Sequence, residues 1–377
     1  MKLESIESIE KLQPLKGDWN TFIEKSEDNN IFFTWEWITS WCEYFLGNNN
    51  LLILFGYNEN NELIGIAPLI KISRWKCGIK VMNIEFIGSG NEIAPTHLNF
   101  ITLTGYEADF IHNVFEYLED NKKLWDIIVL RDMQQDSRIL KNLDAIVKNN
   151  GGYELNSTPG SLCPYIELPE TWEQYIAGLT KKTRYNIGKK ERNLAADHKI
   201  EYVIWNDSQT LEPMMRKLEE LHQKRMRKKK IDGFSMRPIF WDFHRSIANK
   251  LQEKGWLFLG ALKADDNIIS CAYGYFYNNK VSIYQTGLDT DYNNYSANYC
   301  LFAHLIKESI NRKCSEFDFL KGNQSYKFHF TDKVRKNINL IVWNKGFKVQ
   351  FVRFQVKMKA FLKSLIKPAN DIAPEGS

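Results

Sequence analysis

The sequence predicts an α/β (α+β) fold in which one layered unit is built twice and followed by a C-terminal helix. Three observations carry that expectation. The chain has 377 residues, and at roughly 150 residues per domain this exceeds what one hydrophobic core supports. Two segments repeat one order of elements: hairpin, further strand, helix, buried strand. Within them LIGIA (63–67) corresponds to IISCA (268–272), and WDIIVL (125–130) to SEFDFL (315–320). Strands and helices mixed in this way predict a mostly antiparallel sheet flanked by helices in each unit.

The elements follow in order. In FFTWEWITSWCEYF (32–45), Trp37, Trp41 and Phe45 recur at i, i+4 and i+8 and line one helical face. Alternating apolar residues over 51–57 and 63–72, around the turn NENNE, predict a hairpin. Strands are expected at 80–87 and 98–103, a helix at 109–119, the buried strand at 125–130, and a helix at 137–148 before Gly151 and Gly152. The second pass begins near Cys163. It holds a hairpin (256–263, 268–277), a strand over 280–287, a helix over 296–312 and a buried strand over 316–320. The turn formers of NSTPGSLCP (156–164) are expected to separate the units. The division is therefore 1–160, 161–344, a basic amphipathic helix over 345–367, and a disordered tail over 368–377.

Composition narrows the function classes. Fifty basic residues against 46 acidic ones give a net charge of +4, too little for a nucleic-acid packaging protein, so no DNA partner is expected. No apolar run approaches the ~20 residues that a membrane span needs. The N-terminus lacks the continuous apolar stretch of a secretory signal. Six cysteines are scattered without a CxxC pair and read as small buried hydrophobes. His222, His244 and His329 stand too far apart for a metal-ligand pattern, so no metal is expected. A cytoplasmic location follows as the simplest expectation.

Charge is concentrated in two helical stretches. KKTRYNIGKKER (181–192) brings Lys181, Arg184 and Lys189 near one another on a helix surface. KRMRKKK (224–230) ends a helix that starts near Leu211, where cations meet the negative end of the dipole. One reading is a solvated face. The other is a cationic groove for an anionic substrate, with Arg184 and Arg225 suited to bidentate contact and His222 beside them.

Two further segments carry candidate chemistry. YQTGLDTDYNNYSANYC joins a strand ending in Tyr284, Gln285, Thr286 and Gly287 to a helix starting near Ser296. The free amides of such a helix start, with the small Ser296, Ala297 and Asn298, suit a pyrophosphate, and equally suit an ordinary cap. In FDFLKGNQSYKFHF, Asp318 interrupts an apolar strand, and a buried carboxylate needs a partner. Asp318, Tyr326 and Lys327 either surround a reacting centre or anchor a loop.

Taken together, the segments resemble the GNAT-superfamily acetyltransferase family that includes cellulose-biosynthesis-type proteins and is related to the Fem-type peptidoglycan aminoacyltransferases. The likeness rests on LTKKTRYNIGKKERNL, ELHQKRMRKKKIDGFS, YQTGLDTDYNNYSANYCL and FDFLKGNQSYK in that order, with FFTWEWITSWCEYF as the opening. It implies two tandem GNAT-like lobes. It also implies transfer of an acyl group from acetyl-CoA or another acyl-CoA to an amine, by a cytoplasmic enzyme acting on a small or nucleotide-linked acceptor in polysaccharide biosynthesis. Residues 284–287 and 296–298 are then expected to receive the CoA, and Lys327 to lie near the acyl carbonyl. The oxyanion would be met by Lys327 and amides near Gly287, and the amine proton by Asp318 or by Tyr326 with a lowered pKa. No cysteine sits where a nucleophile is expected. Two other readings stand beside this one: an aminoacyl-tRNA donor, and a non-catalytic polyanion-binding or membrane-binding module.

From Lys345 to Lys367 there are seven basic residues and no acids. Phe347, Phe351, Phe354, Met358, Phe361 and Leu365 form one apolar stripe, expected either to lie on an anionic membrane or to dock on the protein's own second lobe or a dimer mate.

Overall fold

Among the residues that the computed structural model describes (1–90, 93, 95–149, 153–205 and 210–366), thirteen strands form one continuous mixed sheet. They are β1 (Lys2–Ile6), β2 (Asn50–Tyr57), β3 (Leu63–Lys76), β4 (Ile79–Phe86), β5 (Ile101–Thr102), β6 (Ile127–Gln134), β7 (Glu154–Glu167), β8 (Ile200–Ile204), β9 (Leu257–Ala264), β10 (Asn267–Tyr277), β11 (Lys280–Leu288), β12 (Glu316–Asp318) and β13 (Val334–Trp343). Along the sheet they run β1-β2-β3-β4-β6-β13-β7-β12-β11-β10-β9-β8, with β5 on β3. The repeat read from the sequence is present. Hairpin β2–β3 answers β9–β10, β4 answers β11, and each half has one parallel pair, β4 with β6 and β11 with β12.

The junction differs from expectation. Residues 156–164 are not a turn but the middle of β7, so residue 160 lies inside a strand. One part of β7 pairs with β13 and the other with β12, which makes it the seam between the halves. The turn formers are accommodated because Pro159 and Gly160 sit where the β13 register shifts, between Lys336 and Ile338. Pro and Gly are tolerated at such irregularities. A Cβ on Gly160 would lie 2.9 Å from the Asn337 carbonyl carbon, so this close approach requires glycine. Strand β13, from the chain's end, completes the first half rather than the second.

The larger core joins both halves on one face of the sheet. Trp37 is fully buried and packs edge-on against Phe243 (5.3 Å) and Tyr275 (5.7 Å) of the second half. On the opposite face the helices Lys181–Asp197 and Ala297–Asn311 cover a second core containing Leu194, Phe258, Leu305 and Phe317. The C-terminal helix Phe347–Ile366 docks by Val349 and Val352 onto Val81, Ile127, Val129 and Trp343. The expected docking of its aromatic stripe on the second lobe is thus corrected. Phe347 is 87% exposed and Phe351, Phe354 and Met358 also face solvent. The side chains of Phe361 and Leu365, and residues 368–377, lie outside what the structure describes.

Candidate active site

Strands β11 and β12 pair only from Lys280/Glu316 to Ser282/Asp318. Beyond that point β11 continues to Leu288, so residues 283–288 have no strand partner on that side. The opening is flanked by the end of helix Leu211–Lys228, the start of helix Ala297–Asn311 and the loop carrying Tyr326. Together these line a cleft of about 820 Å³. Lys190, Arg225, Lys228 and Lys229 line it, and none of its lining residues is an Asp or Glu. Among the described residues, none of these four cations has a carboxylate partner.

Local sequence explains each contribution. Ser296 takes a left-handed conformation (φ 56°, ψ 42°) that ends the preceding 3₁₀ turn and starts the helix at Ala297. Its hydroxyl does not cap that helix but accepts from Lys190 Nζ at 2.6 Å. Helix start amides have no intrahelical acceptor, so those of Ala297 and Asn298 remain for an acceptor from outside the helix. Asn298 is held by Ser270, whose hydroxyl donates to its Oδ1 at 2.6 Å. The Arg225 guanidinium is directed at the free edge of β11, donating to Thr286 Oγ1 and Thr286 O, both at 3.1 Å. Its Nε is buried without a hydrogen-bond partner among the described residues. Burial lowers its pKa, with Tyr326 and Cys271 opposing; an arginine nonetheless stays charged.

Tyr326 lines the cleft, and burial raises its phenol to about 12, with Arg225 opposing. This corrects the expectation of a lowered pKa. At that value the phenol is neutral at physiological pH.

Lys327 is placed differently from expectation. It is 4% exposed and does not line the cleft. Its Nζ donates to the carbonyls of Phe319 (2.9 Å), Leu320 (3.3 Å) and Lys321 (2.9 Å), which uses all three N–H bonds on the loop after β12. Burial lowers its pKa to about 8, with Cys163 and Asp318 opposing. Of the two readings left open, loop anchoring is the one this geometry supports.

Asp318 belongs to a separate cavity at the seam of the two halves. It accepts from His97 Nε2 (3.1 Å), Arg335 Nη1 (3.2 Å) and the Leu320 amide (2.6 Å). Burial pushes its carboxyl up, but His97 and Arg335 outweigh that and hold it below the usual range.

The remaining candidates divide as follows. Lys181 and Lys189 are exposed and outside the cleft, Lys189 lying over the Tyr185 ring. Arg184 caps the preceding helix, donating to the carbonyls of Ala177 and Leu179. His222 is buried edge-on to Trp241, and burial, aided by Arg225, lowers it to about 4. Tyr284 packs among Trp37, His244 and Tyr275. Gln285 Oε1 accepts from the Thr286 amide at 3.1 Å. Gly287 packs against the helix Leu211–Lys228, where a Cβ would meet Leu221 Cβ at 2.8 Å, and its amide is directed at the Cys271 thiol. It is therefore a close-packing glycine, and the expected oxyanion amide is not available there.

Lys190, Lys228 and Lys229 were not singled out in the sequence. For Lys190 the signal was present: Thr183, Ile187 and Leu194 mark the inward face of the basic helix, and Lys190 continues that stripe while Lys189 does not.

Comparison with known proteins agrees with this geometry. Residues 181–328 match the family described as acetyltransferase (GNAT) domain. That segment contains every residue lining the cleft except His329. FemX aligns over 97% of this chain and 100% of its own, at 11% identity and a TM-score of 0.62. A conserved protein of unknown function from Bacteroides thetaiotaomicron aligns over 88% and 97%, at 12% identity and a TM-score of 0.54. The C-terminal domain of a lysylphosphatidylglycerol synthetase homologue from Agrobacterium fabrum aligns over 96% and 99%, at 10% identity and 0.51. At such identities the likeness is one of fold. No curated protein matches the sequence. Among the described residues no cluster of His, Cys, Asp or Glu is arranged to hold a metal ion, and no helix is long and apolar enough to cross a membrane.

Proposed function

We propose that the cleft binds an acyl-CoA and that the enzyme transfers its acyl group, acetyl in the simplest case, to an amine. The single observation that carries this is the pairing of four cations and no acid with an uncapped helix start, beside an unpaired strand edge. Phosphates of the donor would meet Lys190, Lys228, Lys229 and the amides at Ala297 and Asn298.

In the reaction the amine attacks the thioester carbonyl, the C–N bond forms, the C–S bond breaks, and the amine's proton passes to solvent water, which in turn reprotonates Tyr326. Tyr326, neutral at physiological pH, is suited to protonate the leaving thiolate. An acceptor that is phosphorylated or nucleotide-linked, used in surface-polysaccharide assembly by a cytoplasmic enzyme of the cellulose-biosynthesis-type family, remains the finer reading. The whole-length likeness in fold to FemX favours one second donor, an aminoacyl-tRNA.

The exposed aromatic stripe with Lys348, Arg353, Lys357 and Lys359 supports peripheral contact with an anionic membrane. Calorimetric titration with acetyl-CoA, then with an aminoacyl-tRNA, tests the donor. Acetyl-CoA is expected to bind, and about tenfold more weakly in a Lys228→Ala/Lys229→Ala variant, with a shallower salt dependence. Binding of the tRNA alone would replace the donor, and binding of neither would remove the enzyme reading.

A further inference from the structure

Where the two halves meet, two bulky residues take left-handed backbone conformations, His97 (φ 59°) and Leu320 (φ 50°). Side chains of this size adopt such a conformation only where the surroundings enforce it, and enforced positions gather at functional sites. Asp318 joins the two residues. Its Oδ2 accepts from His97 Nε2 at 3.1 Å, and its Oδ1 accepts from the Leu320 amide at 2.6 Å. The second bond closes an Asx-type turn, from a carboxylate to the amide two residues on. Arg335 divides its fork between Asp318 and Glu316, whereas His97 Nε2 donates to Asp318 alone. Burial disfavours charge on His97, but Asp318 and Cys163 outweigh it and raise the imidazole to about 10, so the contact is an ion pair at neutral pH.

From this turn a chain of contacts runs to the donor cleft. The carbonyls of Phe319, Leu320 and Lys321 all accept from Lys327 Nζ, and the Lys327 amide donates to Gln324 O at 3.0 Å. Lys327 therefore clamps the turn after β12 onto the segment beside it, and Gln324, Ser325 and Tyr326 of that segment line the cleft. The far end of the chain is fixed as well. Asn30 Nδ2 donates to His97 O at 3.3 Å, and the Leu98 amide donates to Asp132 O at 3.1 Å, so the first half holds His97 from both sides. His97 and Arg335, the two side chains that fix the Asp318 carboxylate, both lie outside residues 181–328, the segment that matches the acetyltransferase domain.

We propose that His97 is a positioning residue for the transfer: through Asp318 the first half of the chain sets the turn after β12 and so holds Tyr326 at the leaving thiolate. The assignment rests on the acyl-transfer reading and extends it, because the proton donor of one half is then aimed by a side chain of the other. It also separates two functions in space. Lys190, Lys228, Lys229 and the helix start at Ala297 stand on elements that His97 does not touch, so donor affinity is independent of this contact and the geometry of thiolate departure is not.

Two variants of the full chain test this. His97→Asn keeps a residue that tolerates the left-handed backbone but is too short to reach Asp318. His97→Gln carries an amide that reproduces the Nε2 hydrogen bond without the charge. Amide hydrogen exchange over 319–328 reads the turn with no ligand present. Exchange there should rise about tenfold in His97→Asn and return most of the way in His97→Gln, with the helix Ala297–Asn311 equally protected in all three proteins. Thiol release from acetyl-CoA with hydroxylamine as the amine reads thiolate departure. Its kcat should fall about tenfold or more in His97→Asn and recover in His97→Gln, while calorimetric acetyl-CoA affinity stays within about twofold. Unchanged exchange or unchanged kcat in His97→Asn overturns the proposal. So does a His97→Gln as impaired as His97→Asn, a parallel loss of kcat and acetyl-CoA affinity, or a loss of protection that spreads through Ala297–Asn311. Failure of the wild-type chain to bind acetyl-CoA would overturn the acyl-transfer reading instead, and the exchange measurement would still decide whether His97 holds the turn.

Discussion

The Lys327→Met substitution separates a loop anchor from a catalytic group. Methionine preserves most of the buried stem, so the change removes the ammonium with little cavity. Three carbonyls, of Phe319, Leu320 and Lys321, then lose their donor. Hydrogen bonds to a charged group contribute about 1.5–3 kcal/mol each, but burying the charge costs part of that. The lysine titrates at about 8 instead of 10.5. That difference is about 3 kcal/mol at 1.36 kcal/mol per unit. Subtracting it from the sum over three bonds leaves a net destabilisation of about 1–6 kcal/mol at pH 7.

The sign of the pH dependence follows. Between about pH 8 and 10.5 the unfolded chain binds the lysine proton and the folded chain has released it, so wild-type stability gains from rising pH in that window. The variant has no such gain. Urea unfolding followed by tryptophan fluorescence at pH 7 and pH 9.5 measures both effects. The gap between the two proteins should be larger at the higher pH. An unchanged midpoint at both pH values, together with lost turnover, would refute the anchoring role and return Lys327 to the reacting centre.

Two other expectations follow from the geometry. Tyr326→Phe should lower kcat by about 10²-fold or more while leaving acetyl-CoA affinity within about twofold, because it removes a proton and not a phosphate contact. Since burial holds the phenol at about 12, the wild-type rate should show no alkaline fall assignable to it below pH 10; a fall there that disappears in the variant would contradict the donor role. Replacing Phe351 and Phe354 with Ser should abolish co-sedimentation with phosphatidylglycerol vesicles and leave the thermal midpoint unchanged, since Val349 and Val352 make the docking contacts. Undiminished vesicle binding in that variant removes the membrane contact.

The elements themselves were largely legible. Alternation marked β2–β3 and β9–β10, the 3.6-residue period marked the helices, and the matching order of strands revealed the repeat. Ser296 as a helix start was readable because its small polar side chain lies between a run of turn formers and an apolar stripe. Arg225, Asn298 and Tyr326 also reached the cleft that their segments suggested. The junction was not legible. Turn formers at 156–164 carry a local preference, and pairing on both edges of β7 overrode it.

What the sequence determined by itself is therefore local: where the chain pleats, where it coils, and which segments hold charge. Backbone sterics and the spacing of apolar side chains act over a few residues, and they are written in consecutive positions. The tertiary structure alone decided which charges lose their water. Asp318 meets His97 from a strand segment 221 residues away, and Lys327 is drawn onto three carbonyls. Desolvation depends on what the rest of the chain packs around a group, and no short window of sequence contains that information.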